Sequence, residues 1–117
     1  MPSANLHRFL PLNPRVFALL MALLEGPAHG YRLKQAVEER SRGTLTLDPG
    51  SLYRTIARLV DDGFVEEVPA PEEAVSDDAR RRYYGVTEAG RKLVAEEAAR
   101  LRHLLDYADR AHLIAGG

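Results

Sequence analysis

The spacing of hydrophobic positions changes several times along this chain, and each change marks an element. Val16-Phe17-Ala18-Leu19-Leu20-Met21-Ala22-Leu23-Leu24 is an unbroken apolar run, entered through Asn13-Pro14 and closed by Gly26-Pro27. Asn13 can cap a helix and Pro14 suits its first position, so the run predicts a helix buried on most sides. In so small a protein, such a helix is expected to be covered partly by a second subunit. From about His29 to Arg40 the pattern becomes amphipathic, with Leu33, Ala36 and Val37 on one side and Arg32, Lys34, Glu38 and Glu39 on the other, before Arg42-Gly43 breaks it. Thr44-Leu45-Thr46-Leu47 is short and β-favouring, and predicts one small edge strand.

The stretch from Asp48 to Leu59 is the most informative. Asp48 can cap, Pro49 fits the first helical position, and Leu52, Ile56 and Leu59 fall on one narrow stripe, while Gly50, Arg54, Ala57 and Arg58 point the other way. Asp62-Gly63 ends it. Phe64-Val65-Glu66-Glu67-Val68 and Arg82-Tyr83-Tyr84-Gly85-Val86 then read as two strands, joined by a segment too long for a tight hairpin. Tyr83 and Tyr84 are expected on opposite faces, one of them in the core.

Thr87 can cap a final helix, with Glu88 favourably placed in its first turn. The pattern carries this helix to Ile114, about 27 residues or roughly 40 Å. Val94, Ala98, Leu101, Leu105, Ala108 and His112 follow alternating steps of four and three, the spacing of a coiled-coil seam, and Leu93, Leu104, Tyr107 and Ala111 widen it. Such a helix is too long to bury its whole face on the body before it. Either it folds back on the first helix, or a second copy pairs with it; the surplus apolar face favours a homodimer, with Phe17, Leu20, Met21, Val94, Ala98, Leu101, Leu105 and Ala108 as the contacts. The chain thus divides into residues 1–86, an N-terminal arm and a head, and residues 87–117, a dimerisation helix.

Composition narrows the classes. The 117 residues are one domain's worth, and 45% apolar content is that of a folded protein. No cysteine is present, which removes disulfides, thiolate metal sites and cysteine nucleophiles. The longest apolar run is far short of the roughly 20 residues of a membrane span, and no signal peptide pattern precedes it, so a cytoplasmic location is expected. The formal charge is −1, yet six acids crowd between Glu66 and Asp78; setting them aside moves the balance to +5. Arg80-Arg81-Arg82 follows that acidic segment at once, so a weak overall field still leaves a locally basic surface.

Catalytic chemistry finds no support. His7, His29, His103 and His112 form no HExxH or other dense ligand pattern, and Ser41, Ser51 and Ser76 lack a glycine-rich elbow. No phosphate-loop glycine pattern occurs; Gly26-Pro27-Ala28-His29-Gly30 reads as a turn. No enzyme activity, metal or cofactor is expected.

The order helix, helix, small strand, helix, two strands with a loop is that of a winged helix-turn-helix: mainly α with a small β-wing (α+β), extended by one long C-terminal helix. Gly26-Pro27-Ala28-His29-Gly30-Tyr31, Pro49-Gly50-Ser51-Leu52-Tyr53, Leu59-Val60-Asp61-Asp62-Gly63-Phe64-Val65 and Arg81-Arg82-Tyr83-Tyr84-Gly85-Val86-Thr87-Glu88-Ala89-Gly90-Arg91 occur in that order. Together they resemble the PadR family of bacterial transcriptional regulators, in its short form. The resemblance implies a homodimer on a palindromic double-stranded DNA operator, usually acting as a repressor. It also implies Ser51, Tyr53, Arg54 and Arg58 on a recognition helix, Tyr31 and Lys34 on phosphates, and Arg80, Arg81 and Arg82 on the wing. Tyr53 is either a phosphate anchor or a half-buried core tyrosine, and Arg82 pairs either with DNA or with Glu66 or Glu67 across the hairpin. A small-molecule effector is left open; Phe17, Met21, Leu101 and Tyr107 could line its pocket or serve as plain packing. The acidic wing keeps a second reading in view, a winged-helix protein-interaction module that does not bind DNA.

Overall fold

The computed structural model describes residues 6–74 and 80–111. After a short 3-10 turn at His7–Phe9 come α1 (Pro14–Leu23), β1 (Ala28–His29), α2 (Gly30–Arg40), α3 (Pro49–Asp61), β2 (Val65–Val68), β3 (Tyr83–Val86) and α4 (Glu88–Arg110). Three of the helix starts are those the caps predict. Asn13 accepts from the Arg15 N–H, Asp48 from Ser51 and Thr87 from Gly90. The start of α2 is capped by His29, whose Nδ1 accepts the Arg32 N–H at 3.1 Å. The close of α3 follows from Gly63, which takes φ +84°, a conformation other residues adopt at a cost. The Phe64 N–H then reaches back to the Leu59 carbonyl and that of Gly63 to Val60, satisfying carbonyls that would otherwise be orphaned.

The sheet has the order β1-β3-β2, antiparallel throughout. Its third strand is Ala28–His29 and not Thr44–Leu47. The central β3 has two edges; β2 takes one, pairing Val65 with Val86 and Val68 with Tyr83, and Ala28–His29 takes the other. The run that read as a turn is therefore part of the sheet. In the 44–47 segment the backbone is engaged elsewhere: the Thr46 carbonyl accepts from Arg15 Nε at 2.7 Å, and the Leu45 N–H donates to the Ser41 hydroxyl. Leu47 is buried as a plug.

Leu19, Leu20 and Leu23 of α1 meet Leu33 and Val37 of α2, Leu52, Ile56 and Leu59 of α3, and Leu93 of α4 in one core. The two wing tyrosines lie on opposite faces with one in the core, as expected, but both are buried. Tyr84 joins the main core, while Tyr83, on the opposite face, is covered edge-on by the His29 ring at 5.3 Å. Here both faces of β3 are covered, the second by His29, so alternation does not bring either residue to water.

The last helix is described to Arg110, 23 residues long; the seam position His112 and the expected end at Ile114 lie outside the described residues. Its first turns pack into the head through Gly90, Leu93, Val94 and Glu97. Glu97 is a buried charge in this face. It accepts from Arg100 Nε at 2.6 Å and Nη2 at 2.8 Å, and from the Leu12 N–H at 3.1 Å. These bonds replace the water that burial removes and tie the segment before α1 to α4.

Candidate nucleic-acid interface

The outward side of α3 follows from its stripe. With Leu52, Ile56 and Leu59 buried, Arg54 lies opposite them, Arg58 toward one flank and Tyr53 on the other. Arg54 and Arg58 are exposed, and the Arg58 side chain has no hydrogen bond or ion pair among the described residues. Arg54 instead leans back toward the start of the helix, its Nη2 3.3 Å from the Ser51 hydroxyl. The Ser51 N–H and hydroxyl both go to Asp48. These bonds hold the Asp48 carboxyl below its ordinary range, the Ser51 N–H foremost, with Arg54 adding to the effect.

Tyr53 is half outside. Its ring lies over Gly30 at the start of α2, where an added Cβ would stand 2.7 Å from the Tyr53 oxygen. Only a glycine leaves room for that ring. Tyr31 is exposed beside it, and the Arg81 guanidinium from the wing root lies over the Tyr31 ring, 5.6 Å from its centre. His29, Gly30, Tyr31, Tyr53, Arg81 and Arg82 together line a cleft of about 150 Å³. Three separate elements thus bring two guanidinium groups and two phenols to one place.

Arg82 acts on the phenol of Tyr84, which burial pushes above its ordinary value and Arg82 pulls back. Glu67, Tyr84's cross-strand partner, works in the raising direction.

The structure separates the other expected residues from this cleft. Ser51, Arg54 and Arg58 border a broad open groove of about 1120 Å³ between α3 and the segment before α1, shared with Arg15, Asp61 and Asp62. Lys34 lines neither; its ammonium is held by Glu38 at 2.7 Å, an i,i+4 pair on α2. Arg80 is exposed and also lines neither. His29 was not foreseen as part of the site. The signal for it is positional: it stands where α2 needs a cap, and a neutral imidazole nitrogen can accept a hydrogen bond.

An apolar face is shared by α1 and α4. Leu20 and Val94, expected at a dimer contact, are buried in the protomer's own core. Phe17 and Ala108 are half-buried, and Met21, Ala98, Leu101 and Leu105 are exposed, as are Leu24, Leu104 and Tyr107. Phe17, Met21 and Leu101 also line a cavity of about 330 Å³ whose other walls include Leu12, Ala18 and Leu45. Tyr107 is not among its walls; it lies nearly two turns further along α4, exposed. Among the described residues no cluster of His, Asp or Glu is placed to hold a metal, and no helix is long and apolar enough to cross a membrane.

The model of the transcriptional regulator PadR-like family matches residues 19–96, two thirds of the chain. The protein belongs to the PadR-like family. The match runs from the core of α1 through the wing to Glu96 in α4. Transcriptional regulator Rv3488 of Mycobacterium tuberculosis is 36% identical over 80 residues, covering 68% of each chain. A 37.1 kDa protein in transposon TN4556 of Streptomyces fradiae is 35% identical over 92 residues, which cover 79% of this chain and 24% of that one. The chain therefore spans about a quarter of that relative's length. Among solved structures, a PadR family transcription regulator from Clostridium difficile superposes with a TM-score of 0.68 at 18% identity, covering 84% of this chain and 97% of the other. A transcriptional regulator from Clostridium thermocellum gives 0.65 at 21%, over 82% and 87%. These likenesses carry the fold: a PadR-like winged helix-turn-helix followed by a long helix.

Proposed function

We propose that this PadR-like protein is a homodimeric, sequence-specific DNA-binding repressor of a palindromic operator. The observation that carries the reading is the cleft where Tyr31 and Tyr53 meet Arg81 and Arg82 beside an α3 whose outward face bears Arg54 and Arg58. In this reading α3 enters the major groove, Arg54 and Arg58 reach base edges or phosphates, and the wing-root arginines with Tyr31 hold the backbone. Ser51 sits at the entering end of the helix, with Tyr53 as an anchor. Lys34 would have to exchange Glu38 for a phosphate, and Arg80 extends the wing contact.

The dimer is built from the exposed residues of the apolar face, chiefly Met21, Leu101 and Leu105, with Phe17, Ala98 and Ala108 around them. It sets two α3 helices about one DNA turn, roughly 34 Å, apart. A small apolar ligand in the Phe17–Met21–Leu101 cavity would release the operator by altering that spacing.

The decisive experiment is fluorescence anisotropy with duplex selected by the protein from a randomised library. Arg54→Ala with Arg58→Ala should abolish the preference for selected over random duplex. Arg81→Ala with Arg82→Ala should weaken both about equally and flatten the salt dependence by about two phosphates' worth. Full preference in the first double variant, or no binding of the wild-type protein to any duplex at low salt, overturns the reading. The second result would favour a protein-interaction module.

A further inference from the structure

The two arginines of α3 are held differently, and the difference lies in the first turn. Asp48 Oδ1 accepts the Ser51 N–H at 2.9 Å, the Ser51 hydroxyl donates to Asp48 Oδ2 at 3.2 Å, and Arg54 Nη2 donates to the Ser51 oxygen at 3.3 Å. Around Gly50 there is no side chain to intervene. A Cβ there would stand 3.2 Å from Arg54 Nη1 and 3.3 Å from Asp48 Oδ1. Guanidinium, hydroxyl and carboxylate therefore form a chain across one helical turn, at the end of α3 that would lead into a DNA groove. Arg58 has no such tether among the described residues.

Capping alone does not require this carboxylate. An asparagine or serine at the same position caps a helix about as well. What the aspartate adds is a negative charge beside Arg54, which a phosphate-binding surface would otherwise exclude. We propose that Asp48, acting through Ser51, is a positioning residue that withholds Arg54 from phosphates and presents it to a base edge. The inference rests on the DNA-binding reading above. A phosphate is bound chiefly through charge, which the Asp48 carboxylate beside Arg54 partly neutralises. A guanine offers O6 and N7 in the groove, which a guanidinium aimed along the helix start can meet with its free N–H groups while the tether stays closed. The tether thus costs non-specific binding more than specific binding.

The test compares binding to two duplex pools, one selected by the wild-type protein from a randomised library and one unselected, across a range of salt. Asp48→Asn keeps the cap and should leave the melting temperature unchanged. It should bind the unselected pool several-fold tighter, with a salt slope steeper by about one, the increment for one added phosphate. Its preference for the selected pool should fall several-fold. Adding Asp48→Asn to Arg54→Ala should change neither quantity. Gly50→Ala, whose Cβ would press on both Arg54 and Asp48 without altering any charge, should lower the preference in the same direction. An unchanged preference and slope in Asp48→Asn overturns the inference. So does an equal gain on random duplex in the Arg54→Ala background, because Asp48 would then act by its own charge alone. Either outcome leaves the DNA-binding reading standing; absence of wild-type binding to both pools removes the two together.

Discussion

The two halves of α4 are continuous in backbone and opposite in circumstance. Up to Glu97 the helix is part of the head, with Gly90, Leu93 and Val94 buried and Glu97 bonded to Arg100 and to Leu12. Beyond it, Leu101 faces only the cavity it shares with Phe17 and Met21, and Leu104, Leu105 and Tyr107 stand exposed on a helix that the protomer supports little. An isolated helix of some 13 residues is marginal in water. The first half is therefore stabilised by tertiary packing, and the second depends on something outside the protomer, for which a second copy of the same helix is the proposed partner. One sequence pattern covers both halves, and only the neighbours distinguish them.

The sharpest way to break the first half is Gly90→Ala. A Cβ there collides with the Phe64 carbonyl and approaches Val86 Cγ2 to 2.6 Å, so α4 must lift from the wing. A loss of about 3 kcal/mol is expected in denaturant unfolding. Glu97→Ala comes next, at about 2 kcal/mol, because the Leu12 N–H loses its acceptor and Arg100 its partner. Undiminished stability in either variant would mean that the first half is not held as described.

Acid should produce a partial version of the second effect. Arg100 foremost, and then the Leu12 N–H, hold the Glu97 carboxyl below its ordinary range against the opposing effect of burial. A carboxylate with a lowered folded value contributes fully above its unfolded pKa, here 4.5, and the contribution fades as pH falls through the folded value. The stability difference between wild type and Glu97→Gln should therefore be constant near neutrality and shrink only below the unfolded pKa. A difference that grew in acid would reverse the sign of this account.

The smallest effect on the head is expected from Leu105→Asp in the second half. Compared at dilutions where the wild-type protein is also dissociated, protection of the amides in α2 and β3 should differ by no more than ~0.5 kcal/mol. At higher concentration light scattering should show a monomer for the variant and a dimer for the wild type. A retained dimer would move the association surface elsewhere.

The same contrast explains what could be read from the residues. Local signals were legible: Asn13-Pro14, Asp48-Pro49 and Thr87 announce helix starts, and Gly63 announces a stop, because caps and turns are decided within a few residues. The stripe of α3 placed Arg54 and Arg58 outward for the same reason. What depended on distant partners was not legible. Two residues, Ala28 and His29, are too few to show a strand's alternation, and they pair only because β3 offers an edge. Tyr83 is buried through a histidine 54 positions away in the chain. Nothing in the hydrophobic pattern singles out Glu97, although it lies one turn from Leu93 on the buried face and three residues before Arg100. Leu20 and Val94 fit the pattern of a dimer seam and belong to the core, since a helical stripe does not say which of two neighbours it meets.

β1 passes into α2 without an intervening residue, and its two residues are hydrogen-bonded to the central strand of the wing. The wing root and the start of α2 therefore move as one lever. In the proposed complex Tyr31 would not shift along the duplex without carrying Arg81 with it, so the distance between these two proposed backbone grips would be set by the β1–β3 pair. On the DNA-binding reading proposed above, a duplex whose groove width departs from that distance would have to deform to meet the protein, and the energy of that deformation would become part of how one DNA sequence is told from another.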